Sequence, residues 1–219
     1  MAETKYLDYD GLAELVAQLK AYADAKAEGA GDFDALVART IEEATDDDGS
    51  ITKVGTYAFY SCDVLTSVDL PVCESVGASA FCDCDALASA DLSLLESVGK
   101  AAFAGCAMAS LDLPALTTIT AGTSTSGTNR GAFADIDELE SADLGAPTSI
   151  PAYTFRSCDA LASLTIRTDS VATLTASALT GTAIADGDGW IYVPADLVDE
   201  YKAASNWSTY ADQIVAIEE

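Results

Sequence analysis

The sequence contains no histidine and few basic residues, with 10 lysines and arginines in 219 residues. The absence of histidine excludes His-based acid–base catalysis and His metal ligands. The scarcity of Lys and Arg argues against nucleic acid or an anionic membrane as a partner, since both need clustered positive charge. No apolar stretch approaches the roughly 20 residues of a membrane helix, so we expect no membrane insertion. The opening MAETKYLDYDGL has neither a basic nor an apolar leader region, so we expect no signal peptide.

Acidic residues, in contrast, are abundant. The chain has 36 Asp and Glu residues and a formal net charge of −26, and half of its residues are hydrophobic. This hydrophobic content can fill a sizeable core and argues against global disorder. The negative charge suits a basic partner or cations.

The chain also repeats itself. The stretch VGTYAFYSCDVLTSVDL at 54–70 nearly matches VGASAFCDCDALASADL at 76–92. Further phenylalanines at the same position follow at spacings of 22, 30 and 22 residues, and the spacing of 30 indicates an insertion within residues 120–131. A sixth, degenerate unit carries Leu179 in place of the phenylalanine. The repeated phenylalanines are Phe59, Phe81, Phe103, Phe133 and Phe155.

Other columns of the repeat predict its structure. The six-residue stretches such as LTSVDL carry apolar residues at their first, fourth and sixth positions, which is the strand signature of a leucine-rich repeat. We predict one short strand per unit, parallel neighbours about 4.8 Å apart, and an α+β solenoid of about six turns over residues 51–185. The residues that open the units are predicted to be Val54, Val76, Val98, Ile119, Ile150 and Val171.

The pattern V-G-x-x-A-F-x-x-C-x-x-L-x-S resembles the BspA-like, or Treponema-type, leucine-rich repeats over about residues 51–185. The fourth unit departs from it with Ile136 in place of cysteine, and the sixth lacks both Phe and Cys. The resemblance implies a leucine-rich repeat fold.

The two ends break the repeat. Residues 1–30 are predicted to contain a helix that either packs on the repeats or self-associates into a homo-oligomer, such as a trimer. Residues 31–50 are predicted to form a strand or half-repeat next to the first unit, with TDDDGS as a turn. Residues 186–219 are predicted to be a strand-helix cap, with WIYV as the strand and a helix over about 195–204. Its covering side chains would be Trp190, Tyr192, Leu197, Val198, Tyr201 and Trp207, although the aromatics could also form a ligand platform.

Both terminal stretches carry a further resemblance. YVPADLVDEYKAASNWSTYA resembles the closing segment of many BspA-like proteins, and KYLDYDGLAELVAQLKAYAD is similar to the start of many phage and prophage structural proteins. The combination resembles repeat proteins encoded near phage tail genes. It implies a virion-associated tail protein, made in the host cytoplasm, that contacts a protein or glycan of a cell surface. A BspA-like adhesin or interaction module at the cell surface is the alternative.

The cysteines are interpreted as core residues. One column lies three residues after each phenylalanine, and Cys73 occupies an otherwise apolar column. No C-x-x-C pair is present, so we favour buried thiols over disulfides or a metal site. Cys82 is predicted to be the most exposed thiol, because Tyr60 and Arg156 share its column. The column itself contains Cys62, Cys84, Cys106 and Cys158.

No catalytic constellation is present, and we predict no cofactor and no enzymatic activity. The cysteines and serines lack a partner base, because histidine is absent. The remaining alternative is a hydrolase that uses carboxylates of the repeats. It would need two carboxylates in different environments within a cleft.

The outward positions of the predicted strands form the first candidate binding site. Each carries Ser and Asp facing away from the core. Adjacent carboxylates about 5 Å apart repel by roughly 0.8 kcal/mol in water and about 3 kcal/mol at an effective dielectric of 20. The row is therefore either a solvated surface that blocks edge-to-edge association, or a strip for a basic partner or weakly bound divalent cations. Its residues are Asp69, Asp91, Asp112, Asp143, Ser67, Ser89, Ser110 and Ser141.

The insertion is the second candidate. Loops on a rigid scaffold often carry recognition, although a neutral insertion is equally well tolerated. The candidate residues are Thr123, Ser124, Thr128, Asn129 and Arg130.

Overall fold

A computed structural model of the chain describes residues 51–63 and 65–218. The predicted helix within residues 1–30, the strand or half-repeat at 31–50 and the TDDDGS turn lie outside the described residues.

The described part consists of short strands and a few short helices. The strands are β1 (Lys53–Val54), β2 (Ser67–Asp69), β3 (Ser75–Val76), β4 (Ser89–Asp91), β5 (Ser97–Val98), β6 (Ser110–Leu113), β7 (Thr118–Ile119), β8 (Ser141–Leu144), β9 (Ser149–Ile150), β10 (Ser163–Ile166), β11 (Thr173–Leu174), β12 (Trp190–Val193) and β13 (Ile214–Ala216). The α-helices are α1 (Ala183–Asp186) and α2 (Val198–Ala203), and 3-10 helices span Gly127–Asn129, Ala195–Leu197 and Trp207–Gln213.

The predicted repeat architecture with parallel strands is confirmed. β6, β8, β10, β12 and β13 form one parallel sheet, and β2 pairs with β4 in the same way. Equivalent residues of consecutive units face each other, as in the pair Ser67 and Ser89. The apolar residues that start and end these stretches are buried, so the period-2 alternation places them in a continuous core.

The prediction of one strand per unit is wrong, because each unit from the first to the sixth contributes two. The second row contains β1, β3, β5 and β7 in one parallel sheet and β9 with β11 in another. Its strands are two residues long, too short to show the alternation that marks a strand in a sequence.

The prediction that Val171 opens the sixth unit is also wrong. Leu174 pairs with Ile150, because the degenerate sixth unit is two residues longer before this strand.

A third set of hydrogen bonds joins the units at the Ala-Phe segments. The backbone N–H of Phe59 donates to the carbonyl of Ala80 at 2.7 Å, and that of Phe81 donates to Ala102 at 2.8 Å. Residues two before and two after the phenylalanine often have left-handed backbone, with Ser157 at φ +57° and Gly105 at φ +75°. This conformation turns the chain sharply while each unit remains bonded to the next, and outside glycine it is strained.

The phenylalanines stack in the interior. Successive ring centroids are 5.0, 5.2, 5.9 and 5.5 Å apart, and the rings are within 16° of parallel. Phe59, in the first unit, is half-buried, whereas the other four rings are fully buried. The stack follows from the repeat itself, because one aromatic at a fixed position in each unit must meet its copy in the next.

The C-terminal residues pack on the sixth unit through aromatic side chains with satisfied polar groups. The indole N–H of Trp207 donates to the carbonyl of Ala172 at 2.6 Å. The Tyr201 hydroxyl accepts a hydrogen bond from the N–H of Ala172 and contacts the Thr168 hydroxyl at 2.7 Å. β12 coincides with the predicted WIYV strand, while the predicted helix is a 3-10 turn followed by α2. Within the described ranges, no helix is long and apolar enough to cross a membrane.

Candidate interaction surfaces

The outward row of the first set of strands places Ser and Asp side chains in register. Asp69 faces Asp91, and Asp112 faces Asp143, with the serines matched in the same way. Beyond Asp143 the row continues through Thr165 to Tyr192. The serine row ends at Trp190, whose side chain is 48% exposed. We call this surface the Ser/Asp face; it comprises Ser67, Asp69, Ser89, Asp91, Ser110, Asp112, Ser141, Asp143, Ser163 and Thr165.

The four aspartates of the Ser/Asp face have different partners. Asp143 accepts two hydrogen bonds from the Arg167 guanidinium, at 2.9 and 2.5 Å, and this contact raises the pKa of Arg167. Asp91 accepts from the backbone and hydroxyl of Ser93, at 3.2 and 2.5 Å. Asp69 and Asp112 are exposed and have no hydrogen-bond or ion-pair partner among the described residues. These two carboxylates are therefore the ones available to an external group.

Nothing in this arrangement forms a metal cage. Across residues 51–63 and 65–218, no group of three or more Cys, Asp and Glu side chains could hold a metal ion. The Asp side chains come from one flat row, whereas a calcium site surrounds the ion with six to eight oxygens.

The insertion at residues 120–131 folds back onto the Ala-Phe side of the repeats. The Lys100 ammonium donates to the Asn129 side-chain oxygen at 2.5 Å, and the Ser79 hydroxyl donates to the Thr128 carbonyl at 3.4 Å. The N–H groups of Thr123 and Ser124 both donate to the Asn129 carbonyl, at 2.8 and 3.0 Å. The candidate loop residues are thus placed together, with Thr123 and Asn129 exposed and the others half-buried.

Arg130 makes internal contacts in place of facing solvent. Its guanidinium forms ion pairs with Asp83 of the second unit and with Asp135 of the fourth, the latter at 3.0 Å, and only 11% of its side chain is exposed. Burial alone would lower the pKa of Arg130, but the hydrogen bonds with Asp83 and Asp135 outweigh it and raise the pKa. The guanidinium therefore remains charged and paired.

The prediction that Cys82 is the most exposed thiol is wrong. Its side chain is fully buried, and its sulfur accepts a hydrogen bond from Arg130 at 3.1 Å. Column neighbours in the first and fifth units, Tyr60 and Arg156, indicated an outward position. The insertion covers that position in the middle units, which is a long-range contact that the repeat pattern does not encode.

The cysteine column has a structural role that sequence reasoning missed. Three of its four thiols donate to the carbonyl of the phenylalanine one unit earlier: Cys84 to Phe59 at 3.0 Å, Cys106 to Phe81 at 3.2 Å and Cys158 to Phe133 at 2.9 Å. Burial raises the pKa of Cys84 and of Cys158 to about 12 and also raises that of Cys106. The described cysteines are all free thiols.

The fold defines a class of proteins built from stacked repeats with parallel strands, and the repeat sequence identifies the family. The family described as BspA type leucine rich repeat region matches in six copies, over residues 42–121 and 114–188. The chain belongs to this family. No curated protein matches the chain significantly.

Two solved structures align with the chain, and the first of them is similar in fold. The pneumococcal vaccine antigen PcpA aligns with a TM-score of 0.53 at 15% identity, covering 78% of this chain and 43% of that one. A leucine-rich repeat protein from Bacteroides ovatus ATCC 8483 aligns with a TM-score of 0.33 at 20% identity, covering 66% of this chain and 47% of that one. The chain thus spans less than half the length of either structure.

Proposed function

We propose that this chain is a non-enzymatic binding module that presents the Ser/Asp face to a partner at a cell surface. One observation carries the proposal: Asp69 and Asp112 are exposed carboxylates, held on paired parallel strands, that have no hydrogen-bond or ion-pair partner within residues 51–63 and 65–218. The Arg167–Asp143 pair provides an internal example of how a guanidinium meets this face. The partner is a protein with basic side chains; a glycan is the other outcome of the test below.

The test compares two double variants with equal changes of charge. Asp69→Asn with Asp112→Asn removes the two unpartnered carboxylates, while Asp137→Asn with Asp159→Asn removes two exposed carboxylates elsewhere. Binding of each labelled protein to intact candidate host cells is measured. We expect the first variant to lose at least tenfold in affinity and the second to bind like wild type.

Equal losses of affinity in both variants would mean that only net charge matters, and would overturn the proposal that the Ser/Asp face is the binding site. A further arm compares cells treated with protease and cells treated with periodate. Loss of binding after protease supports a protein partner, whereas loss only after periodate replaces it with a glycan.

We further propose that the setting is a phage or prophage virion, with the protein associated with the tail. The support is the helix-first, repeat, closing-segment order of the sequence. Mass spectrometry of purified virions from an induced host culture tests it, with the soluble fraction as the comparison. Detection of the protein only in the soluble fraction would favour the alternative, a surface adhesin or interaction module.

We also propose that the repeats form a solenoid of about six turns that the C-terminal segment covers. The buried aromatics Tyr201 and Trp207 against the sixth unit support this role. The N-terminal helix would then attach or oligomerise the protein. Light scattering of the full chain against residues 32–219 tests this last point: a trimer that becomes a monomer supports it, and a full-length monomer overturns it.

A further inference from the structure

A row of small side chains on the Ala-Phe side of the repeats is buried, although it lies outside the main core. Its members come from the second, third and fourth units, and four of them form an apolar cluster separate from the main one. Exposed Tyr57 and Tyr60 flank the row on one side, and half-buried Tyr153 and Arg156 flank it on the other. We call this row the trough; it comprises Ser79, Cys82, Ala101, Ala104 and Ala134.

The insertion is what covers the trough. Three contacts hold it there: Ser79 with the Thr128 carbonyl, Lys100 with Asn129, and Cys82 with Arg130. All three are polar. The 3-10 turn at Gly127–Asn129 buries none of its residues, and Ala121, the only alanine in the insertion, is exposed. The insertion therefore adds no apolar side chain to the core.

Arg130 makes the strongest of these attachments. It spans three units by pairing with Asp83 in the second and Asp135 in the fourth. Between these aspartates, the same column of the third unit holds Gly105. A Cβ at Gly105 would lie 2.8 Å from an oxygen of Asp83 and 3.5 Å from the Arg130 guanidinium, so glycine leaves the space that the bridge needs.

We propose that the insertion is a latched cover that opens while the repeats stay folded, with the Arg130 ion pairs as the latch. Opening breaks polar contacts and exposes the small apolar side chains of the trough, while the main core stays buried. Such segments open locally at lower free energy than the whole fold. The ion pairs weaken as salt rises. In the open state the trough becomes a groove between Tyr57 and Tyr60 on one side and Tyr153 on the other.

Cys82 reports on this opening directly, because its thiol lies beneath the insertion. The experiment measures N-ethylmaleimide modification of the native full chain, with each cysteine followed by peptide mass mapping. Cys106 and Cys158 lie in the main core, so we expect them to react only on global unfolding. We expect Cys82 to react at least tenfold faster than these two, and faster still as salt rises from 50 mM to 500 mM.

Two arginine variants test the latch. Arg130→Gln removes both ion pairs and is expected to raise the rate at Cys82 at least tenfold, with no change at Cys106 or Cys158. Arg167→Gln removes one cation from the Ser/Asp face and is expected to leave all three rates unchanged. Should Arg130→Gln fail to fold, amide exchange at Thr123 and Ser124 in wild type over the same salt range replaces it. Equal rates at all three cysteines, or amide exchange independent of salt, would overturn the proposal.

Discussion

The thiol of Cys158 donates a hydrogen bond to the carbonyl oxygen of Phe133, 2.9 Å away in the preceding unit. The same contact recurs between Cys106 and Phe81. The Phe81 carbonyl also accepts from the backbone N–H of Cys84 at 3.3 Å, so the thiol is a second donor there, whereas at Phe133 the thiol is the donor. A buried carbonyl that loses its donor costs free energy. The conserved spacing of Phe and Cys within the repeat thus has a direct physical cause.

Removal of this donor is expected to destabilise the fold. Cys158→Ala leaves the Phe133 carbonyl without the thiol and opens a small cavity, which together cost about 2–3 kcal/mol of unfolding free energy. Urea denaturation measures it. Cys82→Ala is the matched control and should cost less than about 1 kcal/mol, since Cys82 lies outside the main core. If both variants lost the same unfolding free energy, the hydrogen bond from Cys158 would not explain the destabilisation.

The thiols also predict how stability depends on pH. Burial raises the pKa of Cys158 from 9.0 to about 12, so folding favours the protonated thiol. This contribution is fully present below pH 9 and is lost between pH 9 and 12, because the unfolded chain releases the proton first. Ionisation of the unfolded thiol should lower stability by about 1.4 kcal/mol at pH 10 for each of Cys84, Cys106 and Cys158. Urea denaturation at pH 8 and pH 10 checks it, and Cys158→Ala should show a smaller loss than wild type.

The left-handed positions predict a stabilising substitution. Ser157 has φ +57° in a column that already holds Gly105 and Gly181. Ser157→Gly relieves strain of about 1 kcal/mol, so it should raise the melting temperature. Ser163→Gly in β10 should lower it by a similar free energy, because glycine weakens a strand. Thermal unfolding of both variants is the measurement, and a lower melting temperature in both would contradict the prediction.

Substitution of Gly131, at the end of the insertion, is predicted to cause a severe loss of stability. A Cβ at Gly131 would lie 1.8 Å from the Tyr153 carbonyl oxygen, a backbone atom that cannot rotate away. Gly131→Ala should therefore cost several kcal/mol or prevent the fourth unit from stacking. Gly127→Ala is the control, because no atom lies within 4 Å of its Cβ position, and it should cost only about 1 kcal/mol for its positive φ. Soluble yield and urea denaturation distinguish the two.

The sequence predicts the repeat and its first row of strands, because stretches such as LTSVDL alternate over six residues. It does not predict the second row, in which Ser75 and Val76 form a strand by pairing with the equivalent residues of the units on both sides. A two-residue strand leaves no period to detect. Its existence depends on the neighbouring units being in place.

Of the candidate sites, the Ser/Asp register follows from the repeat, whereas the individual partners do not. Arg167 lies 24 residues after Asp143, and the repeat period does not say that their side chains meet. The contact of Arg130 with Asp83 and Asp135 is of the same kind, because it depends on the path of the insertion. The trough was not predicted for that reason. The small residues Cys82, Ala104 and Ala134 at one position of the repeat were the sequence feature that could have indicated it.

The pairing of Val54 with Val76 and of Val76 with Val98 keeps one offset of 22 residues. Deletion of residues 76–97 would join Ser75 to Val98, recreate the same two-residue strand and leave every later pairing intact. A duplication of the same segment would do the reverse. Unequal crossing-over within the gene can therefore lengthen or shorten the protein by whole units without changing the register of the strand pairs. Relatives that differ in length can arise from one sequence by a change in the number of repeat units alone.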